Sequence, residues 1–247
     1  MKTIFNKEFD RIDFLDDRFY TDGDIYCPSV THILSDYPKG YQFKQFLMDA
    51  GNDAVVKAER AAEKGSLIHD TIDRIIKGET IKWDDKIYTL DVWQALCKFL
   101  EFWTIYKPEV LASEFQLIDR NRKLGGTGDL LCVINGQIWL IDYKFTNGIY
   151  DTHSIQTSVY TRTSRECYQQ KVDRFGVLWL KAKTKTLKPE EFQGKGWKLI
   201  EFTDTYEEKI KLFDAIHQIW LDINPNAKPW NTVYPATLNL TTEIKNA

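Results

Sequence analysis

The 247-residue chain has no apolar run approaching the roughly 20 residues that a membrane-spanning helix needs. Its opening stretch, MKTIFNKEFDRIDF, lacks the continuous apolar segment of a secretory leader. The expectation is a protein that works in the cytoplasm, of a bacterium or of a phage-infected host cell, with no membrane partner. Cys27, Cys97, Cys132 and Cys167 are widely scattered, with no CxxC and no Cys/His cluster, which argues against a zinc site and against a disulfide framework. No GxxxxGK[ST] phosphate loop occurs, so no nucleotide-driven motor is encoded. A large excess of either sign of charge is also lacking, with 33 Lys and Arg against 36 Asp and Glu. The formal net charge is −3 and the pI near 5.9, so contact with a polyanion must come from local patches. Internal repeats and low-complexity segments are missing as well.

Aromatic residues, by contrast, are plentiful. With 14 Phe, 12 Tyr and 8 Trp, and 43% of residues hydrophobic, the chain can bury a sizeable core, most simply in one domain over residues 1–247. Residues 1–35 mix acids and aromatics without clear periodicity, although Pro28-Ser29-Val30-Thr31 can open a short helix through His32 to Leu34. Apolar residues at helical intervals predict helices over Tyr41–Met48, Asn52–Lys77, Asp91–Lys107 and Thr205–Asp222. Gly65 interrupts the second of these patterns and Gly78 ends it, while Pro108 closes the third. Asp151–Tyr168 is a helix with a Thr/Ser-rich polar side, for which a surface helix is the plain reading. Strands are predicted over Val110–Ile118, Val172–Ala182 and Trp197–Phe202. Lys181–Lys198 carries six lysines against two glutamates and suits either a phosphate-touching loop or a solvated hairpin. From about residue 225, Pro225, Pro229 and Pro235 predict an irregular tail.

One stretch stands apart, Gly125–Thr146, GGTGDLLCVINGQIWLIDYKFT. Asn135-Gly136 is the strongest short-range hairpin signal, because a type I′ turn needs φ > 0 at both central residues. With those two residues at the turn, Ile134 faces Gln137, and counting outward pairs Val133 with Ile138, Leu131 with Leu140, and Asp129 with Asp142. Facing residues have Cβ atoms roughly 5 Å apart, and the alternating pleat puts Lys144 on the face of Asp142. Both flanking runs are apolar on both faces, the signature of strands covered from both sides. A surface hairpin with incidental charges is the plainer alternative, but two carboxylates at the end of a covered strand are costly without a partner. A divalent cation is the natural one.

Other acids and bases acquire meaning beside this hairpin. Glu114 is the single acid within Val110–Ile118, and a neighbouring strand would bring it near Asp129 and Asp142. His69 lies at the edge of an apolar helix face, where a lone histidine is more often structural than a ligand. Gln156 and Tyr160 stand at i and i+4, on one helix face.

The ordered set Gly65-Ser66-Leu67-Ile68-His69, Glu114, Gly128-Asp129, Asp142-Tyr143-Lys144, and Gln156 with Tyr160 resembles the PD-(D/E)XK nuclease superfamily, specifically its RecB-like exonuclease branch. The pattern there is a GxxxH helix, a strand with an acid, G-x-D, (D/E)-x-K and a QxxxY helix. Five elements in the same order over residues 65–160 make the match specific, although it covers about 100 of the 247 residues.

The resemblance implies an α/β fold with a restriction-endonuclease-like core, a central mixed β-sheet flanked by helices. It makes Asp129 and Asp142 metal-ligating carboxylates, with His69 a further ligand and Glu114 a helper to the site. Lys144 would orient or activate the attacking water, or stabilise charge developing on the phosphate. Gln156 and Tyr160 would hold DNA or the catalytic lysine. The implied activity is metal-dependent hydrolysis of DNA phosphodiester bonds by an exonuclease of recombination, repair or phage genome processing. Its substrate would be DNA that is linear or has a free end, and a recombination or replication protein is a possible partner. A non-cleaving nuclease-like module and a structure-specific endonuclease are the alternatives.

Hard carboxylate oxygens suit Mg²⁺ or Mn²⁺, and an imidazole shifts the preference towards Mn²⁺. Members of the branch that carry an iron–sulfur cluster use one upstream cysteine and a downstream triplet. This chain has no cysteine after Cys167, so no iron–sulfur cluster is expected. Arg120, Arg122 and Lys123 before the hairpin, Arg162 and Arg165 on the QxxxY helix, and the lysine-rich loop are the candidates for tracking the DNA backbone.

Overall fold

The computed structural model describes residues 10–14, 17–23, 25–38, 40–181 and 196–228. Most of the lysine-rich loop, and the tail beyond 228, lie outside the described residues.

The helices and strands of the central region follow the hydrophobic periodicity closely. After three short strands, β1 (Asp10–Phe14), β2 (Asp17–Asp22) and β3 (Ile25–Pro28), come the helices α1 (Val30–Ile33), α2 (Tyr41–Ala50), α3 (Ala54–Ile76) and α4 (Leu90–Tyr106). The chain continues through β4 (Glu109–Asp119), β5 (Leu124–Ile134), β6 (Gln137–Lys144), α5 (Asp151–Tyr168), β7 (Arg174–Trp179), β8 (Lys198–Glu201) and α6 (Tyr206–Ile223). β1, β2 and β3 form an antiparallel meander where the sequence shows no periodicity. These strands are four to six residues long, too short for an alternation to stand out. α3 also runs straight through Gly65, whose position meets no neighbouring atom within 4 Å. The glycine costs about 1 kcal/mol of helix propensity there, which the packing of Ile68 and Ile72 offsets.

The central sheet has five strands in the order β4-β5-β6-β7-β8. All neighbours are antiparallel except β6 and β7, which are parallel. Parallel neighbours require a crossover, and α5 provides it. The fold is therefore α/β, with a mixed sheet flanked by helices.

Alternation along β5 and β6 sends side chains into two separate apolar layers. Leu131 and Leu140 enter one layer with Ile155 and Val159 of α5 and Phe213, Ile216 and Trp220 of α6. Leu130, Cys132, Trp139 and Ile141 enter the other with Ile68 and Ile72 of α3 and Val92, Leu96 and Phe99 of α4. Covering on both faces is what the doubly apolar strands require.

The reading of α5 as a surface helix is corrected. Residues His153–Ser164 are buried without interruption, because the sheet, α1 and α6 all pack on this helix. In its first half small hydroxyl residues ease that burial by bonding to the helix itself, whereas the hydroxyls of Thr161, Thr163 and Ser164 are buried without a partner. Ser154 Oγ donates to Asp151 O at 2.8 Å, Thr157 Oγ1 to His153 O at 3.0 Å and Ser158 Oγ to Ser154 O at 2.7 Å. Among the described residues no helix is long and apolar enough to cross a membrane.

Candidate metal centre and active site

The hairpin register is the one that its turn dictates. Ile134 pairs with Gln137, Val133 with Ile138 and Leu131 with Leu140, and the ladder ends at Leu130–Ile141, one residue short of the aspartates. Beyond that point the strands are joined by a side chain. Tyr143 N–H donates to Asp129 Oδ2 at 2.6 Å, so a carboxylate takes the place of the next backbone acceptor. Both aspartates are buried.

β4 approaches from the other side of β5. Ser113 pairs with Leu130 and Phe115 with Gly128, which leaves Glu114 opposite Asp129 without a ladder pairing of its own. Glu114 has φ +47°, a left-handed conformation inside a strand. Such a residue costs on the order of 1–3 kcal/mol and persists only where its surroundings fix it. Its carboxylate reaches towards α3, with Glu114 Oε1 3.9 Å from His69 Nδ1.

His69 joins α3 to the sheet. Its Nε2 donates to the Tyr143 carbonyl at 3.1 Å, while Nδ1 lies 3.3 Å from Asp129 Oδ1. A ring nitrogen anchored on a carbonyl leaves the other nitrogen as the ligating one, and that nitrogen faces both acids. His69, Glu114 and Asp129 offer three donor atoms that all lie within 4.8 Å of one another. Glu114 Oε1 is sealed from solvent with no hydrogen-bond partner. A buried acceptor without a donor, inside an O/O/N donor set, fits a divalent cation.

The electrostatics agree. Burial opposes charge on His69, but the facing Asp129, with Asp142 behind it, outweighs burial and lifts the imidazole from 6.5 to about 9. Burial and then Asp129 raise Glu114 to about 8. Burial is also the main cause that raises Asp142, partly countered by Lys144. Carboxyls crowded together out of water favour their protonated forms unless a cation enters.

Asp142 belongs to a second arm of the site. Its Oδ2 lies 2.6 Å from Lys144 Nζ, and its Oδ1 accepts from Gln156 Nε2 at 2.9 Å. Gln156 Oε1 in turn accepts from Lys144 Nζ at 3.1 Å. The amide thus spans the acid and the lysine, and it touches Tyr160 Oη at 3.3 Å. Glycines make this arrangement possible. A Cβ on Gly126 would come 2.3 Å from the Tyr160 ring, and one on Gly128 would come 2.4 Å from the Phe115 ring.

His69, Glu114, Asp129, Asp142, Lys144, Gln156 and Tyr160, singled out from sequence, therefore meet around one end of the hairpin. The basic residues do not join them. Lys123 is exposed at the tip of β4–β5, six residues from Asp129 and so about 20 Å along the strand. At the same tip Arg120 pairs with Asp22, and Arg122 lies 2.7 Å from Asp119 Oδ2 and 2.8 Å from Glu166 Oε2. Arg165 donates to Val172 O and stacks on Tyr206. The expectation that Arg162 tracks phosphates is corrected, because its residue is 3% exposed, bonded to Asp214 and packed over Phe213.

Sequence reasoning missed the backbone of Tyr143, which serves Asp129 through its N–H and His69 through its carbonyl. Main-chain groups leave no trace in residue identity. No protein-family model matches the chain, and a comparison with curated proteins finds no match.

Proposed function

We propose that this protein is a metal-dependent deoxyribonuclease, with a restriction-endonuclease-like core, that degrades DNA from a free end. The observation that carries the reading is the convergence of side chains from five separate segments. α3 supplies His69, β4 supplies Glu114, β5 supplies Asp129, β6 supplies Asp142 and Lys144, and α5 supplies Gln156. The motif order and the end dependence rest on the resemblance set out above.

His69, Glu114 and Asp129 would hold the ion, and the resemblance adds Asp142 as a further carboxylate ligand. A bound Mg²⁺ or Mn²⁺ supplies Lewis-acid polarisation of the phosphate and makes a nearby water more acidic. Asp142 and Gln156 hold the Lys144 ammonium in place, so its charge is already oriented where negative charge grows on the phosphate. Gln156 is itself oriented by Tyr160, whose ring lies against Gly126. Lys123 at the strand tip is a candidate for a more distant phosphate contact.

End-labelled linear DNA incubated with Mg²⁺ or Mn²⁺ should be degraded, and EDTA should stop it. Asp142→Asn and Lys144→Ala should each lower the rate by about a hundredfold or more while the circular dichroism spectrum stays that of the wild type. Closed-circular DNA should resist. Absence of cleavage under every metal condition would falsify the nuclease reading, and nicking of circles would convert it to an endonuclease.

A further inference from the structure

His153 occupies the third position of α5, one turn before Gln156 and on the same face of the helix. Its backbone N–H donates to Tyr150 O at 3.0 Å, and its Nδ1 accepts the Tyr150 N–H at 3.3 Å. Tyr150 also packs edge-on against the ring, with centroids 5.4 Å apart. These contacts fix both the orientation of the imidazole and its tautomer. Because Nδ1 accepts, the proton of the neutral ring resides on Nε2.

That Nε2–H has no acceptor among the described residues. The residue is 7% exposed, so the ring is held almost wholly inside the protein beside the first turn of α5. Burial, followed by the charge of Lys144, pushes the imidazole down to about 3, which keeps it neutral throughout the physiological range. A neutral donor can stand beside a lysine without repulsion. The first turn of an 18-residue helix adds further partial positive charge. Asp151, the acid of that turn, has its Oδ1 3.3 Å from Lys209 Nζ and is partly neutralised there.

We propose that His153 is a substrate-binding residue whose Nε2–H donates to a non-bridging oxygen of a DNA phosphate alongside Lys144. The inference rests on the nuclease reading of the site. It makes the contact a neutral one, and neutrality gives it a distinctive signature. Each cationic phosphate contact adds close to one unit to the slope of log K against log salt concentration, whereas a neutral donor adds affinity without slope.

The test compares wild type, His153→Asn and His153→Gln in anisotropy titrations with a fluorescent DNA oligonucleotide in Ca²⁺, at several salt concentrations, with DNA length checked afterwards. Asparagine keeps an acceptor near the Nδ1 position and removes the distal donor, whereas glutamine places an amide N–H near the Nε2 position. His153→Asn should bind about tenfold more weakly with an unchanged salt slope, and His153→Gln should recover part of the loss. In wild-type protein labelled with ¹⁵N-histidine, a neutral Nε2-protonated ring should show its Nε2–H resonance shift as oligonucleotide is added. Unchanged affinity in a folded His153→Asn protein, a changed slope, or an unmoved Nε2–H signal would overturn the assignment while cleavage by wild type still stood. A wild-type protein that neither binds nor cuts DNA would overturn both.

Discussion

At the scale of single residues, the site is defined by protons as much as by atoms. In the metal-free protein at pH 7.5, His69 is charged and Glu114 is mostly neutral, since their pKa values are lifted to about 9 and about 8. A cation needs the imidazole neutral and the carboxylate ionised, so its binding must expel protons. Calorimetric titration with Mn²⁺ in two buffers of different ionisation enthalpy should show release of about two protons at pH 7.5. The same shifts fix the sign of the stability profile. Groups with raised folded-state pKa values stabilise the fold at low pH and lose that contribution as pH rises through the folded values. The metal-free protein should therefore melt at progressively lower temperature between pH 6 and pH 9 in EDTA. Saturating Mn²⁺ should flatten or reverse that trend, because the deprotonated site binds it more tightly. A midpoint that climbs with pH in EDTA would show that the carboxyls are not crowded as described.

At the scale of elements, glycine and arginine positions give the clearest expectations. A methyl group at Gly126 cannot coexist with the Tyr160 ring at 2.3 Å. Gly126→Ala should thus push Tyr160 and Gln156 off Asp142 and Lys144, costing about 1–3 kcal/mol in urea denaturation and lowering the cleavage rate. Arg162 invites the opposite expectation. Its Nε and Nη2 are buried without partners, while its ion-pair partner Asp214 is 54% exposed. Arg162→Met removes the unsatisfied donors and frees only a solvated acid, so stability should hold or rise. DNA affinity and its salt slope should not move.

These elements also show what was legible beforehand. The hairpin and its register were readable because Asn135-Gly136 permits few turns and a period of two leaves no freedom afterwards. The helices α3, α4 and α6 were readable because each has one apolar face. α5 was readable as a helix but not as a buried one, since the hydroxyls of Ser154, Thr157 and Ser158 satisfy themselves on their own helix carbonyls, and composition does not reveal that. The left-handed Glu114 was hidden for a related reason. A glutamate in a strand gives no sign that the pairing around it will skip a residue.

At the scale of the whole molecule, the proposed action on DNA would make an acidic chain depend on its cation for more than chemistry. The described cations at the strand tip and on α5 are largely bound to the protein's own acids or rings. Neutralisation of the acidic end of the hairpin by metal should therefore govern association as well as turnover. Oligonucleotide affinity at fixed ionic strength should rise at least about tenfold when EDTA is replaced by Ca²⁺ or Mn²⁺, measured by anisotropy. Equal affinity in both conditions would mean that DNA is held by a surface away from this site.

The carboxylate of Asp129 that receives the Tyr143 amide has one more consequence, for how the protein can be altered. One oxygen of this side chain is masonry and the other is a tool. Replacing Asp129 by alanine removes both together, leaves a peptide N–H unsatisfied where two strands part, and so confuses a silenced enzyme with a loosened sheet. Where β5 and β6 part, this aspartate is stitched into the fabric and still keeps an oxygen to spare.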